Sequence, residues 1–354
     1  MILQINTQPN LLLEAARLVC ACVNGIEPQY LTAEEPSCIP VTEVAKMMET
    51  VCVDLDLNSS RVKFYFRGFA MPEGSEKEPA CVACTLLGTY RNGDNSDIQQ
   101  VRQGLHNSYL GSGKPYKMNT LGLYGFGYTP CDEYSPISEE LDSLSVPDGL
   151  RLRMVEILTA YHFHVDQLCD LLEPLAERLR PLLEPWVRNA QPQIEGWHLA
   201  LHDEDKRKQF LSRFCGKMDG LERIVLSPRM FYPAACNAAY STVNGLFCMV
   251  GIGFQIGLPE LDPVSPQVLT ALRHLSSADR VKMLRIMAGR PVGPREIARK
   301  LDINPGTVFR DLNGMHQAHL LTIVMEGSNR TYTTNLEFLR KVVQNLIEFI
   351  EGGQ

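Results

Sequence analysis

The sequence predicts a mainly α chain with a minor β component (α+β). A large helical N-terminal region with one small strand pair precedes a compact C-terminal unit of three helices and a hairpin, and a terminal amphipathic helix follows. Three observations predict it. Apolar residues recur at helical spacing through most of the first 218 positions, the period becomes strand-like between 223 and 254, and from 276 onward helix caps, first-turn prolines and alternating residues follow at short intervals.

In chain order, Ile2 to Ile5 forms a short strand and Asn10 to Val23 a helix. Further helices are expected over Val41 to Asp54, Ser59 to Phe69, Glu78 to Leu87 and Ser96 to Tyr109, the last running into the turn-rich Gly111-Ser112-Gly113-Lys114-Pro115. Leu150 to Leu172 and Leu175 to Val187 continue the helical pattern, with Pro174, Pro181 and Pro185 as kinks or boundaries. Asp203 to Met218 is another helix. Arg223 to Tyr232 and Leu246 to Phe254 pair as strands, and Pro259, Pro263 and Pro266 mark a linker.

Ser276 is a good N-cap, and Asp279 places a carboxylate in the first turn, where the helix dipole favours it. Val281, Leu284, Ile286 and Met287 give this helix its apolar stripe as far as Ala288. Gly289 to Gly293 breaks it, and Pro294 opens a second helix ending at Leu301, with Ile297, Ala298 and Leu301 inward. Asn304 caps a third helix that starts at Pro305 and reaches about Ala318. Val308, Leu312 and Met315 face the first two helices, which leaves Thr307, Arg310, Asp311 and Asn313 on or beside the outer face. Thr322-Ile323-Val324-Met325, the turn candidates Glu326 to Asn329, and Arg330-Thr331-Tyr332-Thr333 make a hairpin.

Two helices joined by a tight turn and followed by such a hairpin spell a winged helix-turn-helix, whose second helix suits the DNA major groove. Arg310 is the foremost base-reading residue, with Pro305, Gly306, Thr307, Asn313 and Arg295 around it. Asn329 and Arg330 near the hairpin tip are placed to reach phosphates or the minor groove, where concentrated negative potential favours Arg.

Leu275-Ser276-Ser277-Ala278-Asp279-Arg280, Ile297-Ala298, Asn304-Pro305-Gly306-Thr307-Val308, Leu312, Leu320-Leu321 and Glu326-Gly327…Arg330-Thr331-Tyr332 resemble the ArsR-like winged-helix transcriptional regulators over the last quarter of the chain. Phe309 stands where the family usually has a small hydroxyl residue. His319 stands where it usually has a turn glycine, and histidine reaches left-handed backbone more readily than a branched residue does. The resemblance implies a homodimer on a palindromic site. The family's metal sensors draw ligands from the helix before the recognition helix or from the terminal helix, and here Pro294 to Leu301 and Leu336 to Ile350 hold neither Cys nor His.

Residues 265–335 hold ten basic and five acidic side chains, a charge of +5, in a chain of −7, so the remainder carries −12. A basic module on an acidic body suits phosphate binding. Protein docking is the other use of such a unit, with its basic residues a solvated face. In the terminal helix Leu336, Leu339, Val343, Leu346, Ile347 and Ile350 form an apolar stripe, fit either to fold back on the body or to pair with a second copy. The expected organisation is 1–260 as sensor and dimer-geometry region, with a subdivision near 111–150 left open, 265–335 as DNA-binding domain, and 336–351 as dimerisation helix.

At 354 residues, 45% hydrophobic and 21% charged, the chain has the composition of a globular protein of two or three domains. No apolar run approaches a membrane span, and Leu11-Leu12-Leu13 lacks a basic leader, so a cytoplasmic protein without membrane partners is expected. Eleven scattered cysteines fit reduced, mostly buried thiols, with Cys20/Cys22 and Cys81/Cys84 the pairs to weigh for redox or metal chemistry. His162/His164 and His198/His202 form no HExxH motif, and no metal site or cofactor is expected. The glycines of Gly122 to Gly127 and Gly251 to Gly253 open no phosphate loop and suggest close backbone packing. No nucleophile triad or carboxylate pair is evident, so an enzyme is not expected. Tyr124, Phe126, Tyr128, Phe231 and Tyr232 are either ordinary core or the lining of a pocket for a small-molecule or peptide effector.

Overall fold

The structure is a computed structural model describing residues 2–33, 38–69, 79–90, 95, 97–121, 125–142, 147–212, 221–240, 245–254, 256, 266–326 and 329–351; at 118–121, 125–130, 237–240, 325–326 and 329–330, among others, the backbone alone is described. The protein is mainly helical with small sheets. Its chain divides into two compact units, residues 1–196 with 220–254 and residues 197–219 with 255–354. Among the described residues no helix is long and apolar enough to cross a membrane.

Chain order begins with β1 (Ile2–Ile5), α1 (Leu11–Val23), α2 (Val41–Cys52), α3 (Ser60–Phe66), α4 (Val82–Leu87) and α5 (Ile98–His106). A hairpin of β2 (Tyr116–Leu121) and β3 (Gly125–Pro130) leads to α6 (Ile137–Asp142), α7 (Asp148–Thr159), α8 (Tyr161–Asn189), α9 (Gln191–His202) and α10 (Glu204–Ser212). Then come β4 (Arg223–Arg229), β5 (Cys236–Tyr240) and β6 (Gly245–Gly251).

In the first unit α1 is buried on every side from Leu11 to Ala21, as a helix apolar all round must be. Asn10 caps it by accepting the Leu13 N–H at 3.1 Å. Its two buried charges, Glu14 and Arg17, pair with each other, and Glu14 also accepts the Phe231 N–H at 3.1 Å. The sheet has strand order β1-β4-β6-β5, with β1, β4 and β6 parallel and β5 antiparallel to β6. The expected strands at 223–232 and 246–254 therefore pair side by side in one direction. The glycine reading at Gly251 has a concrete cause: the Pro233 carbonyl oxygen lies 1.9 Å from where a Cβ would stand.

Pro174, Pro181 and Pro185 are not helix boundaries, because α8 runs from Tyr161 to Asn189 with all three inside it. All three rings are exposed, on the side away from the buried Leu172, Leu175, Leu179, Leu183 and Val187, so the carbonyls they leave unpaired face water. The sequence reading missed β2, β3 and β5. It also overran α3 and α4: the chain turns extended at Arg67, Phe69 bridges Ala80, and Cys81 caps α4. The end of the helix expected over 203–218 lies outside the described residues past Ser212.

The second unit continues with α11 (Pro266–Leu275), α12 (Ala278–Met287), α13 (Pro294–Leu301), α14 (Pro305–Gln317), the hairpin β7 (Leu321–Glu326) and β8 (Asn329–Thr334), and α15 (Leu336–Glu351). Val268 and Ala271 of α11 join Met283 and Met287 of α12, Val308 and Leu312 of α14, Tyr332 of β8 and Phe338 of α15 in one core. Pro266, expected as the last proline of the linker, instead starts α11 as a first-turn proline. Ser276 does not cap α12; its hydroxyl turns back to the Arg273 carbonyl at 2.7 Å. Val281 is 45% exposed, and Met283 takes the inward position instead, because at helical spacing Met283 lies about 40° from Met287 around the axis and Val281 about 120° from it.

Val292 and Tyr332 exchange backbone hydrogen bonds of 2.9 and 3.0 Å, stitching the α12–α13 link to the hairpin. Asp302 ends α13 in the left-handed conformation (φ 54°), and Asn304 caps α14 by accepting the Gly306 N–H at 2.8 Å. His319 takes φ 60°, as its place in the turn requires.

Candidate functional site

The residues singled out on α14 divide by face. Val308, Leu312 and Met315 are fully buried, so Pro305, Gly306 and Arg310 are exposed, and Thr307 and Asn313 lie half-buried beside them. Arg295 is exposed on α13 with Arg299 and Lys300. The backbone of Asn329 and Arg330 opens β8, and their side chains lie outside the described residues.

Asp311 is not on the outer face. It is 9% exposed and receives Arg280 of α12, Nε at 3.2 Å and Nη2 at 3.1 Å from Oδ1. Beside this pair the His274 ring of α11 packs over Gly314, and its Nδ1 is buried without a hydrogen-bond partner among the described residues. Burial, then the Arg280 charge, lower the His274 pKa. Sequence reasoning missed this tie between helices; Gly314, the glycine inside α14, was the signal of a close approach there.

Charge is not spread evenly. Glu296 accepts from both Lys300, at 2.9 Å, and Arg290, and these two bonds hold its carboxyl down at about 2. Lys282 pairs with Asp279 at 3.1 Å. Among the described residues no carboxylate pairs with Arg295, Arg299 or Arg310, and all three are exposed.

α15 carries two apolar faces. Phe338 and Val342, absent from the expected stripe, are fully buried in the unit's core, and Leu339 packs against them. Leu336, Val343, Ile347 and Ile350 are 38%, 43%, 43% and 67% exposed, and Leu346 is half-buried. Positions 336, 339, 343, 346 and 350 keep the alternating three-and-four spacing of a coiled-coil seam.

In the first unit Tyr124 lies outside the described residues, as do the side chains of Phe126 and Tyr128. Phe231 is fully buried and Tyr232 is 8% exposed. The turn they form is pinned from below: Arg229 Nε donates to the Phe231 carbonyl at 3.0 Å, and the guanidinium lies 5.5 Å from the Tyr232 ring centroid. These two aromatics are core.

His162 stacks on His106, with the Nδ1 atoms 3.0 Å apart, and His106 Nε2 lies 2.9 Å from Asp166. Arg102 and then His106 hold the Asp166 carboxyl below the usual range. His164 Nδ1 lies 2.8 Å from the Tyr65 hydroxyl, and the His198 and His202 rings lie edge to face. Among the described residues no cluster of three or more His, Cys, Asp or Glu side chains has metal-binding geometry. Comparison with family models, curated proteins and solved structures returns no match.

Proposed function

We propose that the second unit is an ArsR-like winged helix-turn-helix that binds double-stranded DNA, and that the protein is a transcriptional regulator, a repressor in its simplest form, acting as a homodimer on a palindromic operator. The observation that carries this reading is the outer face of α14. Arg310 stands exposed there between Gly306 and Asn313, with the exposed cations Arg295 and Arg299 on the preceding helix and Val308, Leu312 and Met315 holding the face outward. In this reading Arg310 enters the major groove, Thr307 and Asn313 flank it, Pro305 and Gly306 let the helix N-terminus approach the phosphates, and the β7–β8 hairpin brings Asn329 and Arg330 to the flanking backbone.

The exposed stripe of Leu336, Val343, Ile347 and Ile350 pairs α15 with its copy, which sets two recognition helices about one or two DNA turns apart. The first unit then tunes that spacing, and an effector acts by as much as it prefers one spacing over the other.

Titration of a labelled random-sequence duplex at several salt concentrations tests the reading. Phosphate binding requires log K to fall linearly with log salt. Docking of a protein partner by the same unit predicts no duplex binding at any salt, and that result would end the proposal.

A further inference from the structure

The cysteines pair differently in space than along the chain. Cys20 and Cys22 sit on opposite sides of α1. Cys20 is 4% exposed and hydrogen-bonds to Cys81, itself fully buried at the cap of α4 with Cys84 beside it. Cys22 faces the other way, toward α2, and its Sγ lies 3.2 Å from that of Cys52, the last residue of α2. Both residues of this second pair are partly exposed, whereas Cys20, Cys81 and Cys84 are buried.

We propose that Cys22 and Cys52 are a redox modification site, a dithiol that a peroxide converts to an intramolecular disulfide joining α1 to α2. Three features carry it. The sulfurs are already closer than a van der Waals contact, and a bond of about 2.05 Å asks them to approach by roughly 1 Å, within reach of side-chain rotation. The helices that present them are packed together, with Val44, Met47 and Val51 of α2 buried. Finally, the Cys52 thiol donates to Cys22 and lowers its pKa while its own rises, so Cys22 is the nucleophile and Cys52 the resolving thiol.

The Cys22 thiolate attacks one peroxide oxygen, the O–O bond breaks, and the departing hydroxide takes a proton to become water. The Cys52 sulfur then attacks the Cys22 sulfenic sulfur, the S–O bond breaks, and the second hydroxide leaves as water with the Cys52 proton. Two thiols are oxidised and one peroxide is reduced to two waters. The buried Cys20, Cys81 and Cys84 are shielded from the same reagent, and burial pushes the Cys81 thiol well above its ordinary value.

The test is full-length protein treated with hydrogen peroxide, alkylated, digested without reductant and mapped by mass spectrometry. The expected result is a Cys22–Cys52 linked peptide as the dominant disulfide, lost when the protein is unfolded before oxidation. In Cys52→Ser a sulfenic acid should instead accumulate at Cys22, where dimedone traps it. Separate alkylation of Cys22 and Cys52 in the treated wild type would overturn the proposal, as would a dominant linkage among Cys20, Cys81 and Cys84.

Discussion

The guanidinium of Arg280 holds the carboxylate of Asp311, whose side chain is 11% exposed, by two nitrogens, at 3.1 and 3.2 Å, and so fixes α14 against α12. Removing the arginine leaves a carboxylate in a mostly dry site. Arg280→Ala is expected to cost about 1–2 kcal/mol, less than a fully buried pair because the Arg280 side chain is 30% exposed. Thermal melts of Arg280→Ala and Asp311→Asn check it: the first should lose several degrees and the second less, since the amide oxygen still accepts a hydrogen bond.

Gly314 is expected to resist the usual gain from alanine inside a helix. Ala ordinarily stabilises a helix interior over Gly by about 1 kcal/mol. Here a Cβ would stand 2.8 Å from Cε1 of His274, so the ring must move. Gly314→Ala alone should lower the melting temperature, and the same change in a His274→Ala background should raise it. Additive effects in that cycle would show that the ring does not fill the space.

If α15 pairs with its copy as proposed, its two faces separate folding from assembly. Phe338→Ala should cost about 3–5 kcal/mol, because the ring is fully buried in the core. A Val343→Glu and Ile347→Glu double variant changes side chains that are each 43% exposed, so it should keep its melting behaviour and sediment as a monomer. A folded double variant that still sediments as a dimer would place the seam elsewhere.

Glu296 sets an acid dependence. Its carboxyl falls from 4.5 to about 2 when Lys300 and Arg290 bind it, so its folded value lies below its unfolded one. The stability it lends is complete above the unfolded value and is lost as pH falls through the folded one. The melting-temperature difference between wild type and Glu296→Gln should therefore be constant from neutral pH down to the ordinary carboxylate range and shrink toward zero near pH 2. A difference that grows on acidification would contradict the assignment.

The C-terminal elements were the most legible in the sequence because their signals are local. Pro294, Asn304 and Pro305 mark helix starts by their own backbone chemistry, and Val308, Leu312 and Met315 give the inner face of α14 by spacing alone. Residues whose environment depends on distant chain were misplaced. Asp311 looks like a surface acid until Arg280 is brought to it from α12, and Phe338 and Val342 fell outside the stripe because the exposed face of α15 is as apolar as the buried one. The prolines of α8 were misplaced as helix boundaries: their spacings of seven and four place them on one exposed face, where solvent satisfies the carbonyls they orphan. Cys22 and Cys52 share no local motif at all, since thirty residues separate them.

Selection of bound duplexes from a random library, run in parallel with wild type and Arg310→Ala, tests the proposal that the outer face of α14 reads DNA. The wild type should enrich a palindrome whose half-sites lie one or two helical turns apart, and Arg310→Ala should bind it about 1–3 kcal/mol more weakly with selectivity relaxed at one base pair per half-site. No enrichment by the wild type, or the same palindrome enriched equally by both proteins, would contradict it.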